Sequence, residues 1–79
     1  MDKNYFAILD TETNKFVTAD EAVNAGADIN SDAVGNIHFK EMFAEDDGEL
    51  AYIIHDAGKV NDWKVVPVNV DIKITLTPK

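Results

Sequence analysis

Hydrophobic and polar residues alternate in several short segments of this chain, which is the pattern of strands that bury one face. Residues 5–9 are aromatic and aliphatic, residues 10–14 are polar and turn-rich, and residues 15–17 are again partly apolar. This order predicts a first strand, a loop of four or five residues and a short partner strand. Residues 50–56 alternate as well, which predicts a strand with Asp56 on its core-facing side.

The longest alternating segment runs over residues 66–76, where the even positions are apolar and most odd positions are polar. This pattern predicts one long strand with one buried face. The outward-facing Pro67 has no amide to donate, so its part of the strand is expected at a sheet edge. The even positions are Val66, Val68, Val70, Ile72, Ile74 and Leu76.

The segment 18–27 contains start and stop signals of a short helix. Thr18 followed by Glu21 is a capping-box pattern, in which the hydroxyl accepts from a free amide. Gly26 would close the helix, because glycine readily adopts a left-handed conformation. A helix this short depends on tertiary packing, and an irregular connection between strands is the alternative.

Residues 28–35 form a loop rich in side chains that bond their own backbone. Ile37, Phe39 and Phe43 then predict a strand with His38 and Lys40 on its other face. A helix over residues 39–45 is the alternative, since Phe39, Met42 and Phe43 share one helical face. An acidic turn over residues 45–48 separates this element from the strand predicted at residues 50–56.

Short strands separated by turns predict an all-β fold, or a β-rich fold with one short helix, arranged as a small β-sandwich. The 79 residues suffice for a single domain, 1–79, with a small core. The sequence shows no internal repeat and no linker.

Charge and composition exclude several classes of function. Fifteen acidic against seven basic residues give a net charge of -8, which repels phosphate backbones and argues against direct nucleic-acid binding. The absence of cysteine excludes disulfides, thiol catalysis and thiolate metal sites. No apolar run is long enough to span a membrane, so no membrane insertion is expected. Residues 1–6 do not form a signal peptide.

The order of these segments resembles small domains of Gram-positive surface proteins and pilins, of the Cna-B and pilin isopeptide-linkage types. The matching segments are residues 6–10 (Phe-Ala-Ile-Leu-Asp), 32–39 (Asp-Ala-Val-Gly-Asn-Ile-His-Phe), 52–56 (Tyr-Ile-Ile-His-Asp) and the alternating 66–76. The resemblance implies an Ig-like or prealbumin-like β-sandwich in an extracellular or cell-wall location.

Members of that family often form an amide between a lysine of the first strand and an asparagine of the last, catalysed by a buried acid. The resemblance would make Lys3 the nucleophile, Asp56 the catalytic acid and Asn69 the electrophile. Alternation places Asn69 on the polar face, and only a slip or bulge would turn it inward. In the alternative, Lys3 and Asn69 are solvated, and Asp56 caps a strand end or turn.

A calcium loop is a second candidate site. Removal of Ala33 and Val34 from the segment 28–41 would leave the complete EF-hand ligand pattern. The two extra residues shift the glycine and the last glutamate out of register, and an Asx-rich turn is the alternative. The candidate ligands are Asp28, Asn30, Asp32 and Glu41.

Three functions therefore remain open. The first is a non-enzymatic structural or adhesive module of a bacterial surface or pilus protein, which binds a protein partner or neighbouring domains. The second is a small acidic phage or mobile-element protein, complete and cytoplasmic, which inhibits a nucleic-acid-binding enzyme by phosphate mimicry. The third is a calcium-binding module. The second predicts one acidic face formed by Asp20, Glu21, Asp28, Asp32, Glu45, Asp46, Asp47 and Glu49.

Overall fold

The computed structural model describes residues 4–29, 35–37, 41–70 and 76–78. These residues form six strands and two helices, and the predicted β-rich class is confirmed. The strands belong to a single sheet. In chain order the elements are β1 (Tyr5–Asp10), β2 (Lys15–Phe16), α1 (Ala19–Asn24), β3 (Gly35–Ile37), β4 (Glu41–Ala44), α2 (Asp47–Asp56), β5 (Trp63–Val70) and β6 (Leu76–Pro78).

Strand β1 lies at the centre of the sheet. The strand order is β3-β4-β1-β5-β6, and all neighbours are antiparallel. Strand β5 pairs with all six residues of β1. The other edge of β1 is shared, because β4 pairs with residues 6–7 and β2 pairs with residues 9–10.

The predicted β1–β2 hairpin is confirmed. The Asp10 carboxylate accepts from the backbone amide of Glu12 at 2.9 Å, and the Asp10 carbonyl accepts from that of Asn14 at 2.8 Å. Asn14 adopts a positive φ of 58°, a conformation that asparagine tolerates better than most residues. The turn therefore forms from local bonds that its own sequence supplies.

Helix α1 is the short helix that the capping pattern predicted, so the irregular connection is wrong. The Thr18 hydroxyl accepts from the Glu21 amide at 3.1 Å, and it donates to the Glu21 carboxylate at 3.3 Å. At the other end Gly26 has a φ of +110°. Its amide donates to the carbonyl of Val23, and the next amide, of Ala27, donates to that of Ala22. This pair of bonds is a Schellman motif.

The strand predicted over residues 50–56 is wrong, because this segment forms α2. Its buried residues, Leu50, Ile53 and Ile54, follow the helical spacing and not the alternating one. Asp46 caps the helix, with its carboxylate accepting from the Gly48 amide at 2.9 Å. A second Schellman motif at Gly58, with a φ of +70°, ends it.

The single long strand predicted over residues 66–76 is also wrong. Val68–Val70 pair with Leu76–Pro78, so the segment folds back on itself as β5 and β6. Strand β1 has only six residues, and all of them are already paired with Trp63–Val68. β5 extends two residues beyond its pairing with β1, and there its partner is β6. Pro67 pairs with Phe6 of β1, and residue 79, which the β5–β6 register would place opposite Pro67, lies outside the described residues, so the edge assignment stays a prediction.

The single strand predicted from Ile37 to Phe43 is wrong, because Gly35–Ile37 and Glu41–Ala44 pair antiparallel with each other as β3 and β4. Phe43 lies in β4, so the helical alternative for residues 39–45 is wrong over residues 41–44. Phe39, His38 and Lys40 lie outside the described residues.

Both helices pack on the same face of the sheet. A main hydrophobic core joins them to β1, β4 and β5, while a smaller cluster of Ala7, Val68 and Leu76 is buried on the opposite face. The helices thus take the place that a second sheet would hold in a sandwich. The main core contains Ile8, Val17, Ala22, Ala27, Met42, Ala44, Leu50, Ile53, Ile54, Ala57 and Trp63.

Candidate functional site: a cleft beside helix α2

Helix α2 has a buried face and an outward face of different chemistry. Leu50, Ile53 and Ile54 are buried against the sheet. Glu49, Tyr52 and Asp56 are spaced three and four residues apart, so they lie together on another face of the helix. That face therefore carries two carboxylates and one aromatic ring.

The segment after α1 reaches the carboxyl-terminal end of α2. The Schellman motif at Gly26 buries Ala27 in the main core and directs the chain onward through Asp28 and Ile29. The backbone amide of Asp28 donates to Oδ2 of Asp56 at 2.8 Å. This hydrogen bond joins two segments that are 28 residues apart in sequence. It holds residues 28–29 beside the outward face of α2.

The two segments border a cleft of about 360 Å³ that is open to solvent. Its lining residues are Asp28, Ile29, Glu49 and Tyr52. Tyr52 remains 62% exposed. A cleft with two carboxylates, a tyrosine ring and an aliphatic side chain is suited to a cation that also has an apolar part. Its volume lies at the lower end of the range of ligand sites in proteins, which is about 300–1,000 Å³.

Two of the three residues proposed for an intramolecular amide, Asp56 and Asn69, lie in the described structure. Asp56 was expected on the core-facing side of a strand, but it lies exposed in the last turn of α2. Its carboxylate binds a loop amide, which is close to the alternative that Asp56 caps a turn. Asn69 is exposed in β5, as the alternation predicted, and Lys3 lies outside the described residues.

The calcium ligand set falls largely outside the described residues. Asn30 and Asp32 are not among them, and the side chain of Glu41 is not described. Asp28 is exposed beside α2. Within the described part of the chain, no three histidine or acidic side chains are placed to hold a metal ion. The calcium site remains a prediction.

The acidic residues named for phosphate mimicry divide between three places in the fold. Asp20 and Glu21 lie in the first turn of α1. Three others lie at the start of α2, and Asp28 joins Glu49 in the cleft. Asp32 lies outside the described residues. The three at the start of α2 are Glu45, Asp46 and Asp47.

Tyr52 was not among the predicted site residues, because residues 50–56 were predicted to form a strand. A helical pattern was present, since apolar residues recur at Leu50, Ile53, Ile54 and Ala57. Asp46, followed three residues later by Glu49, also matches a helix start. These two signals together would have placed Glu49, Tyr52 and Asp56 on one helical face.

Comparison with protein-family models, with curated proteins and with solved structures found no match for this chain. The resemblance to Cna-B and pilin domains therefore stays a prediction. Neither helix in the described residues is long and apolar enough to cross a membrane.

Proposed function

We propose that this chain is a non-enzymatic acidic binding module that associates with a basic protein partner. The observation that carries the proposal is the distribution of charge along the chain. Residues 16–58 contain ten of the fifteen acidic residues and one of the seven lysines, Lys40. This segment includes α1 and α2, which pack on the same face of the sheet.

The exposure of the charges supports this proposal, while the residues predicted to form one acidic face divide between three places in the fold. In the described part of the chain, no charged residue is buried. Several lie where they also stabilise the fold. Asp20 and Glu21 occupy the first turn of α1, and Asp47 and Glu49 occupy that of α2. Acidic side chains are favoured at these positions because helix amino termini carry partial positive charge.

A basic groove that ordinarily accepts phosphates is the kind of surface that such a module would occupy. Carboxylates offer lysine and arginine the same charge-assisted hydrogen bonds that phosphates offer. The association should be fast at low salt, and it should weaken as salt screens the opposite charges. Phosphate mimicry in this sense remains part of the proposal.

The test must separate folded geometry from bulk charge. We would measure the binding of a fluorescein-labelled nona-arginine peptide by anisotropy, over a series of salt concentrations. The control is the double variant Leu50→Asn/Ile53→Asn, which keeps the net charge of -8 but removes two side chains from the core. Loss of its fold would be verified by circular dichroism. The proposal expects the folded chain to bind more tightly than this control, and equal affinities would overturn it.

A structural or adhesive module of a bacterial surface protein is the second candidate function. The observation in its favour is the β-rich antiparallel fold, in which the matched residues 6–10 lie in the central strand. This function would also be non-enzymatic and would also use protein partners. It differs from the first candidate because it requires no basic partner, and its contacts should depend little on salt.

A further inference from the structure

We propose that the cleft beside α2 receives an arginine side chain from an exposed basic segment of the partner, with Tyr52 as the main contact. This inference rests on the proposed function and names the part of the surface that recognises the partner. The surface consists of Asp28, Ile29, Glu49 and Tyr52.

Tyr52 is the first reason for choosing this cleft. Three large hydrophobic side chains are exposed in the described residues, namely Val23, Tyr52 and Val60. Of these, only Tyr52 lines the cleft. Tyrosine is enriched among residues that contribute most to binding, because it presents a large rigid area and loses little conformational freedom.

Charge complementarity is the second reason, and it specifies the partner. Asp28 and Glu49 line the cleft with Tyr52, so a cation over the tyrosine ring would also lie near carboxylates. An arginine guanidinium can stack on an aromatic ring and form paired hydrogen bonds with a carboxylate, whereas a lysine ammonium acts as a point charge. The methylene groups of arginine would contact Ile29.

The chain already contains a contact of this kind. The Lys59 ammonium lies 5.9 Å from the centroid of the Trp63 ring. That contact is intramolecular, and Trp63 is buried in the main core. The ring of Tyr52 is largely exposed and remains available to a cation from outside.

The cleft is also held in shape before binding. The Asp28 amide and the Asp56 carboxylate join its two walls at 2.8 Å, and one wall is a capped helix packed on the core. A partner would therefore lose little free energy in ordering this surface. Asp56 acts here as a positioning residue, through the Asp28 backbone.

The experiment uses the full chain with labelled nona-arginine and nona-lysine peptides, measured by anisotropy at one low salt concentration. Tyr52→Ala should weaken nona-arginine binding about fivefold or more, whereas Tyr52→Phe, which keeps the ring, should stay within about twofold. The matched control is Val60→Ala, because Val60 is 63% exposed but does not line the cleft. Wild-type protein should bind nona-arginine more tightly than nona-lysine.

A second pair of variants separates the cleft carboxylate from net charge. Glu49→Gln and Glu12→Gln each remove one negative charge, but Glu12 lies exposed in the β1–β2 turn. The proposal expects Glu49→Gln to weaken binding at least about threefold more than Glu12→Gln. Circular dichroism and urea unfolding would confirm that all five variants remain folded.

The possible failures are distinguishable. In one outcome, wild-type protein binds nona-arginine more tightly than the unfolded control, but the cleft variants match their controls. The assignment of the cleft as the arginine site is then wrong, and the proposed function stands. If Tyr52→Phe loses as much affinity as Tyr52→Ala, the contact is to the hydroxyl, and stacking on the ring is wrong. If wild-type protein binds no better than the unfolded control, both proposals fail.

Discussion

The two helix-ending glycines provide a quantitative test of the fold, because they share one motif but differ in backbone conformation. Gly26 has a φ of +110° and Gly58 has a φ of +70°. At both positions an added Cβ would meet no heavy atom within 4 Å. Replacement by alanine therefore causes no clash with another residue, and the cost comes from the backbone alone.

The expected costs differ because only one of the two φ values lies in the left-handed region that L-residues can adopt, near +50° to +70°. Alanine in that region costs about 1–2 kcal/mol, partly offset by about 0.4–1 kcal/mol from a less flexible unfolded chain. Gly58→Ala should therefore destabilise by about 1 kcal/mol. For alanine at position 26 to reach the left-handed region, its φ must change by about 40°, from +110° to about +70°. This change disrupts the two Schellman hydrogen bonds of α1. Gly26→Ala should destabilise by about 2–3 kcal/mol.

Equilibrium unfolding in urea, monitored by circular dichroism, measures both losses of stability. Each loss is calculated from the shift in the urea midpoint, provided that the denaturant dependence of the free energy (the m value) is unchanged. Gly58→Asn serves as a control, because asparagine tolerates the left-handed region, and it should lose less than Gly58→Ala. Gly26→Asn should be no more stable than Gly26→Ala, because the φ of +110° at position 26 lies outside the left-handed region that asparagine tolerates. Equal losses for the two alanine variants, or a larger loss at Gly58, would refute the assignment of cost to φ.

Three further outcomes are expected. Ile53→Ala should destabilise by about 2–4 kcal/mol in the same urea assay, because Ile53 is fully buried between α2 and the sheet; a loss below about 1 kcal/mol would contradict that packing. Asp46→Ala should cost about 1 kcal/mol, because it removes the cap on the Gly48 amide, and Asp46→Asn should recover most of it. Denatured intact mass should equal the sequence mass, because Asp56 and Asn69 are both exposed, and a loss of one ammonia would instead support the amide.

For two elements, local signals in the sequence predicted a structure that local bonds stabilise. The β1–β2 hairpin and α1 form through contacts among near neighbours, such as the carboxylate of Asp10 and the hydroxyl of Thr18. Turn and cap preferences describe such contacts directly. The β-rich class followed from the same reasoning and is confirmed.

The errors arose where two periodicities fit the same residues. In residues 50–56, Leu50 and Ile54 are compatible with alternation and with a helix, whereas the burial of Ile53 agrees only with the helix. In residues 66–76, alternation does not distinguish a long strand from two paired ones. The pairing of Val68–Val70 with Leu76–Pro78, which divides this segment into two strands, is a tertiary property. The cleft could be predicted only if residues 50–56 were assigned to a helix, so the sequence did not reveal it.

The central position of β1 has a consequence for folding during synthesis. β1 is complete at Asp10, but its longest partner, β5, begins only at Trp63 and pairs with it over six residues. At about 5–20 residues per second, the ribosome adds the intervening residues in about 3–10 s. During that interval β1 can pair only with β2 and β4. Any sheet that forms on the nascent chain in that interval leaves one edge of β1 open, and an open strand edge is a site for chaperone binding or aggregation.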